Sequence, residues 1–402
     1  MKKIAIIGGG AAGFFTAANL GESLGSQTMI FEQSSTPLQK VRISGGGRCN
    51  VSHACFDPKE LVTFYPRGKK ELLSVFHQFQ PGDTMAWFQN HGVELKIEND
   101  NRIFPVSNSS LSIIECLMDG VEKNQVEIRL SEGVQSIQKI NNSFFIKTKH
   151  GEYEFEKVIF TSGSSVKSME IIQNIGHSIV KPVPSLFTFN IKDNRLKNLM
   201  GVSFEHVHIS IPKLKLEADG PLLITHWGLS GPAILRLSAW GALDLFDLQY
   251  TFDIKINFVD KYFDECCEFL NEFKLGNSKK SVVKTNPFSF PKRFWQRIVE
   301  ICNLSPNLTY SHLTKNQIQQ LSEELTQGIY SVKGKSTFKD EFVTAGGVDL
   351  KEVNFKTMES KLIPNLFFAG EILNIDAITG GFNFQACWSE AFIIFEQLKH
   401  ID

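Results

Sequence analysis

Three glycines near the start of the chain have the spacing needed to hold a pyrophosphate. Gly8, Gly10 and Gly13 fit the pattern G-x-G-x-x-G directly after an apolar segment. The first glycine allows a tight turn, the second lets the backbone approach a phosphate, and the third lets a helix pack closely on a strand. The start of that helix adds free N–H groups. Glu32 follows near the distance expected for a carboxylate that hydrogen-bonds ribose hydroxyls, so we predict a dinucleotide site.

Segments near the other end of the sequence indicate which dinucleotide this is. Residues 366–371 are typical of a buried strand that delivers Gly370 and Glu371 to the sheet edge, where such an acid binds the ribityl chain in two-part flavin domains. Residues 379–385 begin a helix whose N-terminus can stabilise negative charge on a reduced flavin. The turn at residues 161–163 is expected beside the same cofactor. No second G-x-G-x-x-G indicates a separate nicotinamide domain, so the pattern favours FAD.

A second glycine cluster, residues 44–50 with the sequence SGGGRCN, implies close backbone approach to a ligand or a nest of N–H groups for an anion. Arg48 is a candidate to balance phosphate charge. Cys49 is either a small packed thiol or a proton donor. Cys49, His53 and Cys55 match no zinc spacing, so we predict no metal site.

A loop at residues 225–232 carries a candidate acid or base, His226. The alternative is a turn and cap that start a helix near residue 232. His226 and Ser230 do not form a G-x-S-x-G elbow, so the loop gives little support to a hydrolase. The lysines and arginines at residues 279–297 form either a solvated surface or a contact for nucleic acid.

Composition bounds the class of protein. The chain has 402 residues, 42% of them apolar, and a formal net charge of −1, which excludes a strongly polybasic protein but not a local basic patch. Seven scattered cysteines form no disulfide framework and favour a cytoplasmic location. No segment reaches the roughly 18 uninterrupted apolar residues of a membrane span. Three glycines interrupt the apolar N-terminal segment, so we predict no signal peptide.

The secondary-structure pattern predicts how these motifs are positioned. Strand, glycine turn, helix and strand open the sequence, and a strand at 365–369 with a helix at 384–399 closes it. Alternating residues between 187 and 258 predict an antiparallel sheet, and helical patterns occupy 261–273, 291–302 and 315–326. We therefore predict the α/β class, as a split Rossmann-like FAD-binding domain with an inserted antiparallel, barrel-like β domain that carries a small helical subdomain. The predicted bounds are 1–185 and 341–402 for the FAD-binding domain, 186–258 and 327–340 for the β domain, and 259–326 for the helical subdomain.

The motifs together resemble one known family. The segments are GGGAAG (8–13), ISGGGRCNVSH (43–53), PVPSLFTF (182–189), THWGLSGPAILRLS (225–238), TAGGVDL (344–350) and GEILNIDAITGGFNFQACWSEAF (370–392). From end to end the chain resembles the BaiN/RdsA-like flavoprotein family, also called aminoacetone-oxidase-like, which implies bound FAD. The predicted cofactor-binding residues are Gly8, Gly10, Ala12, Gly13, Glu32, Gln33, Arg42, Ser44, Gly45, Gly46, Arg48, Cys49, Asn50, Val134, Thr161, Ser162, Gly163, Gly370, Glu371, Asp376, Gly380, Gly381, Asn383 and Phe384.

The resemblance implies an FAD-dependent oxidoreductase that passes a hydride through the flavin N5 atom, with NAD(P)H as an optional transient co-substrate. Its substrate is a small organic molecule or, alternatively, a uridine of ribosomal RNA, which would make the protein a dihydrouridine synthase. Two further alternatives are an aminoacetone-type amine oxidase and a non-catalytic flavin-binding protein. Cys49 and His226 are the candidate catalytic residues. We predict no membrane partner, and the sequence does not predict the oligomeric state.

Overall fold

The computed structural model describes residues 2–336 and 343–399. The chain folds into two compact units, unit 1 (Met1–Pro184 with Lys339–Asp402) and unit 2 (Ser185–Phe338). The predicted boundary between residues 340 and 341 lies outside the described residues. The helices of the predicted helical subdomain share one hydrophobic core with the strands of unit 2, and the three-part division stays a prediction.

Among the described residues of unit 1, the main sheet has the order β20-β21-β22-β10-β1-β2-β6, with elements numbered along the chain. The five strands from β22 to β6 are parallel, whereas β21 pairs antiparallel with both β22 and the edge strand β20. The central strands are wholly apolar or nearly so and are buried, as a sheet covered on both faces requires. The predicted parallel α/β fold is confirmed. The strands are β1 (Ile4–Ile7), β2 (Thr28–Phe31), β6 (Glu127–Arg129), β10 (Lys157–Phe160), β20 (Val353–Asn354), β21 (Glu359–Ser360) and β22 (Leu366–Phe368).

Smaller antiparallel sheets complete the strands of unit 1. One has the order β3-β5-β4, a second the order β7-β8-β9, and a third pairs β11 with β19. These strands are β3 (Ser52–His53), β4 (Leu95–Ile97), β5 (Arg102–Pro105), β7 (Ser136–Ile140), β8 (Ser143–Lys147), β9 (Glu152–Phe155), β11 (Ile179–Pro184) and β19 (Thr344–Val348).

Helices cover the main sheet, and α1 packs against both α7 and α14. A Cβ atom on Gly120 of α7 would lie 2.8 Å from Ala18 Cβ, so small residues bring α1 and α7 together. No helix within the described ranges combines the length and the apolar character needed to cross a membrane. The helices are α1 (Ala11–Asn19), α2 (Gly21–Gly25), α3 (Gln39–Gly47), α4 (Pro58–Leu61), α5 (Lys69–Phe76), α6 (Pro81–Asn90), α7 (Ser110–Lys123), α8 (Val166–Asn174) and α14 (Phe382–Lys399).

The described part of unit 2 is one antiparallel sheet with the order β17-β16-β13-β14-β15-β12-β18, covered by helices. The edge strand β17 also contacts β12, next to the opposite edge, so the sheet curls as the barrel-like prediction expects. Its strands are β12 (Thr188–Asn190), β13 (Ser203–Ile211), β14 (Leu216–Ile224), β15 (Gly228–Ser230), β16 (Thr251–Asn257), β17 (Gly328–Lys333) and β18 (Lys335–Ser336). Its helices are α9 (Pro232–Trp240), α10 (Ala242–Asp247), α11 (Phe263–Gly276), α12 (Lys292–Ile301) and α13 (Lys315–Gln327).

Candidate functional site

Four parallel strands bring the predicted cofactor residues to one edge of the unit 1 sheet. β1 leads into Gly8, β2 into Glu32, β10 into Thr161, and β22 into Ala369 and Gly370. The Thr161 hydroxyl donates to the Gly8 carbonyl at 2.8 Å, which ties two of these strand ends together. Open α/β sheets bind their ligands beyond the carboxyl ends of such strands.

The glycines of the first motif divide into two kinds. A Cβ atom on Gly8, where φ is +113°, would lie 2.5 Å from Ser162 Cα, and one on Gly13 would lie 2.3 Å from the Gly8 carbonyl oxygen. Packing alone therefore requires glycine at both positions. A Cβ atom on Gly10 would meet only the Thr161 carbonyl oxygen, at 3.8 Å. The space beside Gly10 is open, and Gly10 gives the start of α1 no side-chain cap, as a phosphate site at a helix N-terminus requires.

The Glu32 carboxylate is held against the glycine turn. Its Oε2 accepts a hydrogen bond from the Gly9 N–H at 2.7 Å. Its Oε1 accepts from the Ser34 N–H at 2.8 Å and from the Ser34 hydroxyl at 2.7 Å. Because a carboxylate has about four acceptor sites, Glu32 can still accept a ribose hydroxyl in this orientation.

The loop after β6 runs beside Glu32. The Glu132 N–H donates to the Glu32 carbonyl at 2.8 Å. A Cβ atom on Gly133 would lie 3.1 Å from Gln33 Cβ, and the next residue, Val134, is buried. Gln33 itself is exposed. The structure thus brings Gln33 and Val134, both predicted cofactor residues, close to the Glu32 end of the site.

The glycine cluster at residues 44–50 forms the kinked end of α3 and not a simple loop. Ser44 leaves the helical conformation, and Gly45, Gly46 and Gly47 follow with φ of 58°, 69° and 84°. A Cβ atom on Gly45 would lie 2.9 Å from the Phe104 ring, whereas one on Gly46 or Gly47 would meet nothing within 4 Å. The left-handed backbone favours glycine at residues 46 and 47, and the open surroundings leave room for a ligand beside this backbone.

The two arginines of this segment have different surroundings. Arg48 Nη1 pairs with Glu98 Oε1 at 2.7 Å, and the guanidinium carbon lies 3.8 Å from the centre of the Phe104 ring. Glu98 therefore already balances the charge that the sequence pattern assigns to a phosphate. The Arg42 side chain is exposed, and its carbonyl accepts from the Ser110 hydroxyl at 2.8 Å.

Cys49 is a wholly buried thiol in a left-handed backbone conformation, with φ of 61° and 0% exposure. Burial raises the pKa of this thiol to about 12, although a hydrogen bond with Ser44 opposes the shift. The thiol keeps its proton at neutral pH, but a donor must reach its substrate. These surroundings favour the packing interpretation of Cys49 over the proton donor.

The turn before α14 docks on residues 50–53. In the amide orientation that satisfies both ends, Asn50 accepts from the Gly381 N–H at 3.0 Å. His53 Nδ1 lies 3.1 Å from the Gly380 carbonyl oxygen, and its ring stacks on Phe382 with centroids 4.4 Å apart. Burial lowers the pKa of His53. The structure therefore joins the second and last sequence motifs at one place, and His53 supports the turn.

Two predicted cofactor residues of the last motif form contacts within the protein. The Asp376 carboxylate is wholly buried and forms an ion pair with Arg67. The Asn383 amide accepts from the Ala377 N–H at 3.0 Å and donates to its carbonyl at 3.3 Å. Both interactions hold the loop before α14 in place. Phe384 belongs to α14 itself and stacks on another aromatic ring of that helix.

Glu371 connects three segments of the site. Its Oε1 accepts from the Thr344 N–H at 2.9 Å, and its Oε2 pairs with Lys40 of α3. A Cβ atom on Gly163 would lie 3.7 Å from Glu371 Oε2. The acid predicted to bind a ribityl chain therefore lies beside both the turn after β10 and the helix that ends in the glycine cluster. Sequence reasoning missed Lys40.

A second acid, also missed, lies behind Gly370. Glu390 of α14 is 0% exposed, and its Oε2 accepts from the Gly370 N–H at 2.5 Å. Burial raises the pKa of Glu390 to about 8, and the Gly370 hydrogen bond opposes this shift. A Cβ atom on Gly370 would lie 3.3 Å from Ala12 Cβ and 3.4 Å from Cys387 Sγ. The available signal in the sequence was a charged residue within an apolar helix.

Buried polar atoms without a hydrogen-bond partner lie at the same edge of the sheet and indicate whether it fits a cofactor. The buried hydroxyls of Ser162 and Thr344 have no hydrogen-bond partner within the described structure. Ser162 follows β10, and Thr344 donates its N–H to Glu371. Buried polar atoms are normally partnered. Together with the open space at Gly10 and Gly46, they fit a bound dinucleotide.

His226 lies in unit 2, between β14 and β15, and its side chain is exposed. Its ring contacts Trp227 with centroids 4.1 Å apart, and Trp227 Nε1 donates to the Thr188 hydroxyl at 2.9 Å. The helix start predicted near residue 232 is confirmed, since α9 begins at Pro232. The catalytic role of His226 stays a prediction.

All seven cysteines lie within the described residues and are free thiols. The structure, over the ranges it describes, contains no group of three His, Cys, Asp or Glu side chains that could hold a metal ion.

Comparison with known proteins gives relatives that span the whole chain. The chain is 28% identical over 407 residues to a ribosomal RNA dihydrouridine synthase of Escherichia coli (strain K12), covering 98% of this chain and 97% of that one. It is 25% identical over 407 residues to a 3-dehydro-bile acid delta(4,6)-reductase of Clostridium scindens, covering 98% of each. These relatives confirm the predicted resemblance to the BaiN/RdsA-like family.

Among solved structures, the chain is similar to 3-ketosteroid-delta4-(5alpha)-dehydrogenase from Rhodococcus jostii RHA1. The TM-score is 0.49 and the identity 11%, over 98% of this chain and 96% of that one. This likeness is too distant for a comparison of individual residues. Residues 2–396 match the family described as HI0933-like protein Rossmann domain, and the chain therefore belongs to this family of Rossmann-type, FAD-binding proteins.

Proposed function

We propose that this chain binds FAD at the carboxyl edge of the unit 1 sheet and acts as an oxidoreductase. The observation that carries the proposal is the meeting of both sequence ends at one edge: the open glycine turn before α1, and Glu371 with the turn before α14. NAD would need only the first of these two ends. FAD, when bound, supplies hydride transfer at its N5 atom.

The residues of the chain take separate parts in holding the cofactor. The uncapped start of α1, with open space beside Gly10, would hold the pyrophosphate. Glu32 accepts hydrogen bonds from the ribose hydroxyls. Glu371, fixed by Lys40 and by the Thr344 N–H, accepts from the ribityl hydroxyls. The N-terminal end of α14 would stabilise negative charge on the flavin ring.

The names of the two relatives support a more specific reaction. A dihydrouridine synthase saturates the C5=C6 bond of uridine, and a delta(4,6)-reductase saturates carbon–carbon double bonds of a steroid. Both reactions reduce a double bond that is conjugated with a carbonyl group. We therefore propose that this chain reduces an α,β-unsaturated carbonyl compound, with NAD(P)H as a transient reductant. No observation of this structure favours an amine oxidase or a non-catalytic flavin protein.

Uridine of ribosomal RNA is the substrate that we propose first. A second dihydrouridine synthase, of Haemophilus influenzae, is 26% identical over 402 residues. We propose a cytoplasmic location for an enzyme with such a substrate, whose base must leave its stack to react. A small unsaturated molecule is the alternative. In either case a proton must reach the carbon next to the carbonyl; of the two predicted donors, His226 is exposed and Cys49 is wholly buried.

The test is the dihydrouridine content of large-subunit ribosomal RNA from a strain that lacks the gene. We expect one dihydrouridine position to be lost, restored by the wild-type gene and not by Gly10→Val, which places a side chain in the pyrophosphate path. Unchanged dihydrouridine would overturn the RNA proposal. Turnover of cyclohexenone with NADPH by the purified protein would then identify a small-molecule reductase, and the absence of any turnover would overturn the reductase itself.

A further inference from the structure

One segment of unit 2 is rich in basic residues and contains no acid of its own. Between Glu272 and Glu300 the sequence contains seven basic residues and no acidic one, although the whole chain has a net charge of −1. The basic residues are Lys274, Lys279, Lys280, Lys284, Lys292, Arg293 and Arg297.

The lysine segment before α12 is irregular but anchored. Trp295 of α12 is 1% exposed, and its Nε1 donates to the Val282 carbonyl at 2.8 Å. The Tyr310 N–H donates to the Lys280 carbonyl at 3.0 Å. These bonds hold the backbone on the body of unit 2 while the side chains of Lys279, Lys280 and Lys284 remain exposed.

The first turn of α12 extends the same face. It contains the exposed Lys292 and Arg293 and no acid. Cations at the positive end of a helix dipole are unfavourable for the helix itself, so local stability does not explain their presence. Arg293 Nη1 donates to the Asn198 carbonyl at 3.4 Å and Arg297 Nη2 to the Lys197 carbonyl at 3.2 Å. These hydrogen bonds bring the exposed Lys197 to the same face.

Few of these charges are neutralised within the protein. Arg297 pairs with Glu300 at 2.8 Å. Over the described ranges, Lys279, Lys280, Lys284 and Lys292 make no ion pair with an acid. Several exposed lysines without ion pairs, on an anchored backbone, fit a partner that carries many negative charges.

We propose that this basic face, formed by residues 279–297 and Lys197, binds the phosphate backbone of RNA. The inference rests on the proposed function and adds the surface through which unit 2 contacts its substrate. Phosphate contacts of this kind position an RNA without reading its sequence. The face therefore contributes affinity, and the choice of uridine is made elsewhere.

The experiment compares two quadruple variants of the FAD-loaded protein. One replaces Lys279, Lys280, Lys284 and Lys292 with Gln. The matched control replaces four exposed lysines of unit 1 with Gln, which removes the same total charge. The control lysines are Lys69, Lys70, Lys123 and Lys149.

Binding to protein-free large-subunit ribosomal RNA from the deletion strain is measured between 50 and 300 mM KCl. We expect the basic-face variant to bind about 10-fold more weakly or worse at low salt. The slope of log K against log salt should fall by about 0.7–0.9 for each phosphate that the variant no longer neutralises. The control should keep the wild-type slope. Equal weakening in both variants, or wild-type binding by both, would overturn the proposal.

Two further measurements separate this proposal from the proposed function. Flavin content and NADPH-dependent reduction of cyclohexenone should be unchanged in both variants, because neither contains a residue of the cofactor site. If neither wild type nor the two variants reduce cyclohexenone, the proposed reductase activity is contradicted, but the RNA-binding result is not affected. Binding of the face to anionic phosphatidylglycerol vesicles with no binding to RNA would overturn the RNA proposal and identify a membrane surface.

Discussion

Glu390→Gln is expected to reverse its effect on stability between about pH 5 and pH 8. The Glu390 side chain is wholly buried in α14, and its Oε2 accepts from the Gly370 N–H at 2.5 Å. Its other oxygen has no partner within the described structure. Burial raises the pKa of Glu390 from 4.5 to about 8.

The sign follows from the two protonation states. Between pH 4.5 and about pH 8 the folded protein holds the Glu390 proton while the unfolded chain releases it. The free energy of unfolding due to this group is therefore greatest below pH 4.5 and falls as the pH rises through that window. The loss is about 1.4 kcal/mol for each pH unit, or about 5 kcal/mol over the whole window.

Gln has no proton to release, so it removes this slope. Its amide nitrogen, however, replaces an oxygen that has no partner, at a cost of about 1–3 kcal/mol. At pH 5 the variant should be less stable than wild type by up to about 2 kcal/mol, and at pH 8 more stable by about 1–3 kcal/mol.

The assay is urea unfolding at pH 5, 6, 7 and 8 with excess FAD, followed by tryptophan fluorescence. Glu396→Gln on the same helix is the control, since its side chain is 38% exposed and pairs with Lys399. A difference between wild type and Glu390→Gln that does not change with pH would refute the reasoning.

The remaining predictions concern the cofactor and the loop before α14. Gly46→Ala and Gly21→Ala should each lower the free energy of unfolding by about 1 kcal/mol, because both glycines have φ of 69° and open space around them. Only Gly46→Ala should also weaken FAD binding, measured by titrating the apoprotein with FAD. Glu32→Ala should weaken FAD by about 1.5–3 kcal/mol, and full FAD in the purified variant would contradict that assignment. Asp376→Asn should lower the free energy of unfolding, measured by thermal unfolding, by about 3–5 kcal/mol, since it breaks the buried ion pair with Arg67. A loss below about 1 kcal/mol would mean that this ion pair does not hold the loop before α14.

Local patterns were sufficient to predict the frame of unit 1. The buried strands around Gly8 and before Gly370 carry their own signals, apolar runs that end in glycine, and parallel pairing then requires their carboxyl ends to meet. The helix starts at residues 232 and 315 could also be predicted, because a proline at the first helical position and the Thr314–Gln317 capping box are signals in the local sequence.

The partners of the charged residues could not be predicted from the sequence, because they come from distant parts of the chain. Asp376 lies 309 residues from Arg67, and Arg48 lies 50 residues from Glu98. Nothing in the local sequence distinguishes a carboxylate that binds a ribityl chain from one that an arginine neutralises. The burial of Cys49 was equally hidden, since it depends on packing around the whole cluster.

The identity of the cofactor tests the central claim most directly. The protein is purified under mild conditions, its absorption spectrum is recorded, and the molecule released by acid is identified by its mass. We predict flavin absorption near ~450 nm and release of FAD, because a two-ended site at one sheet edge requires a two-part cofactor. Recovery of NAD alone, or a colourless protein that takes up no FAD, would contradict the account.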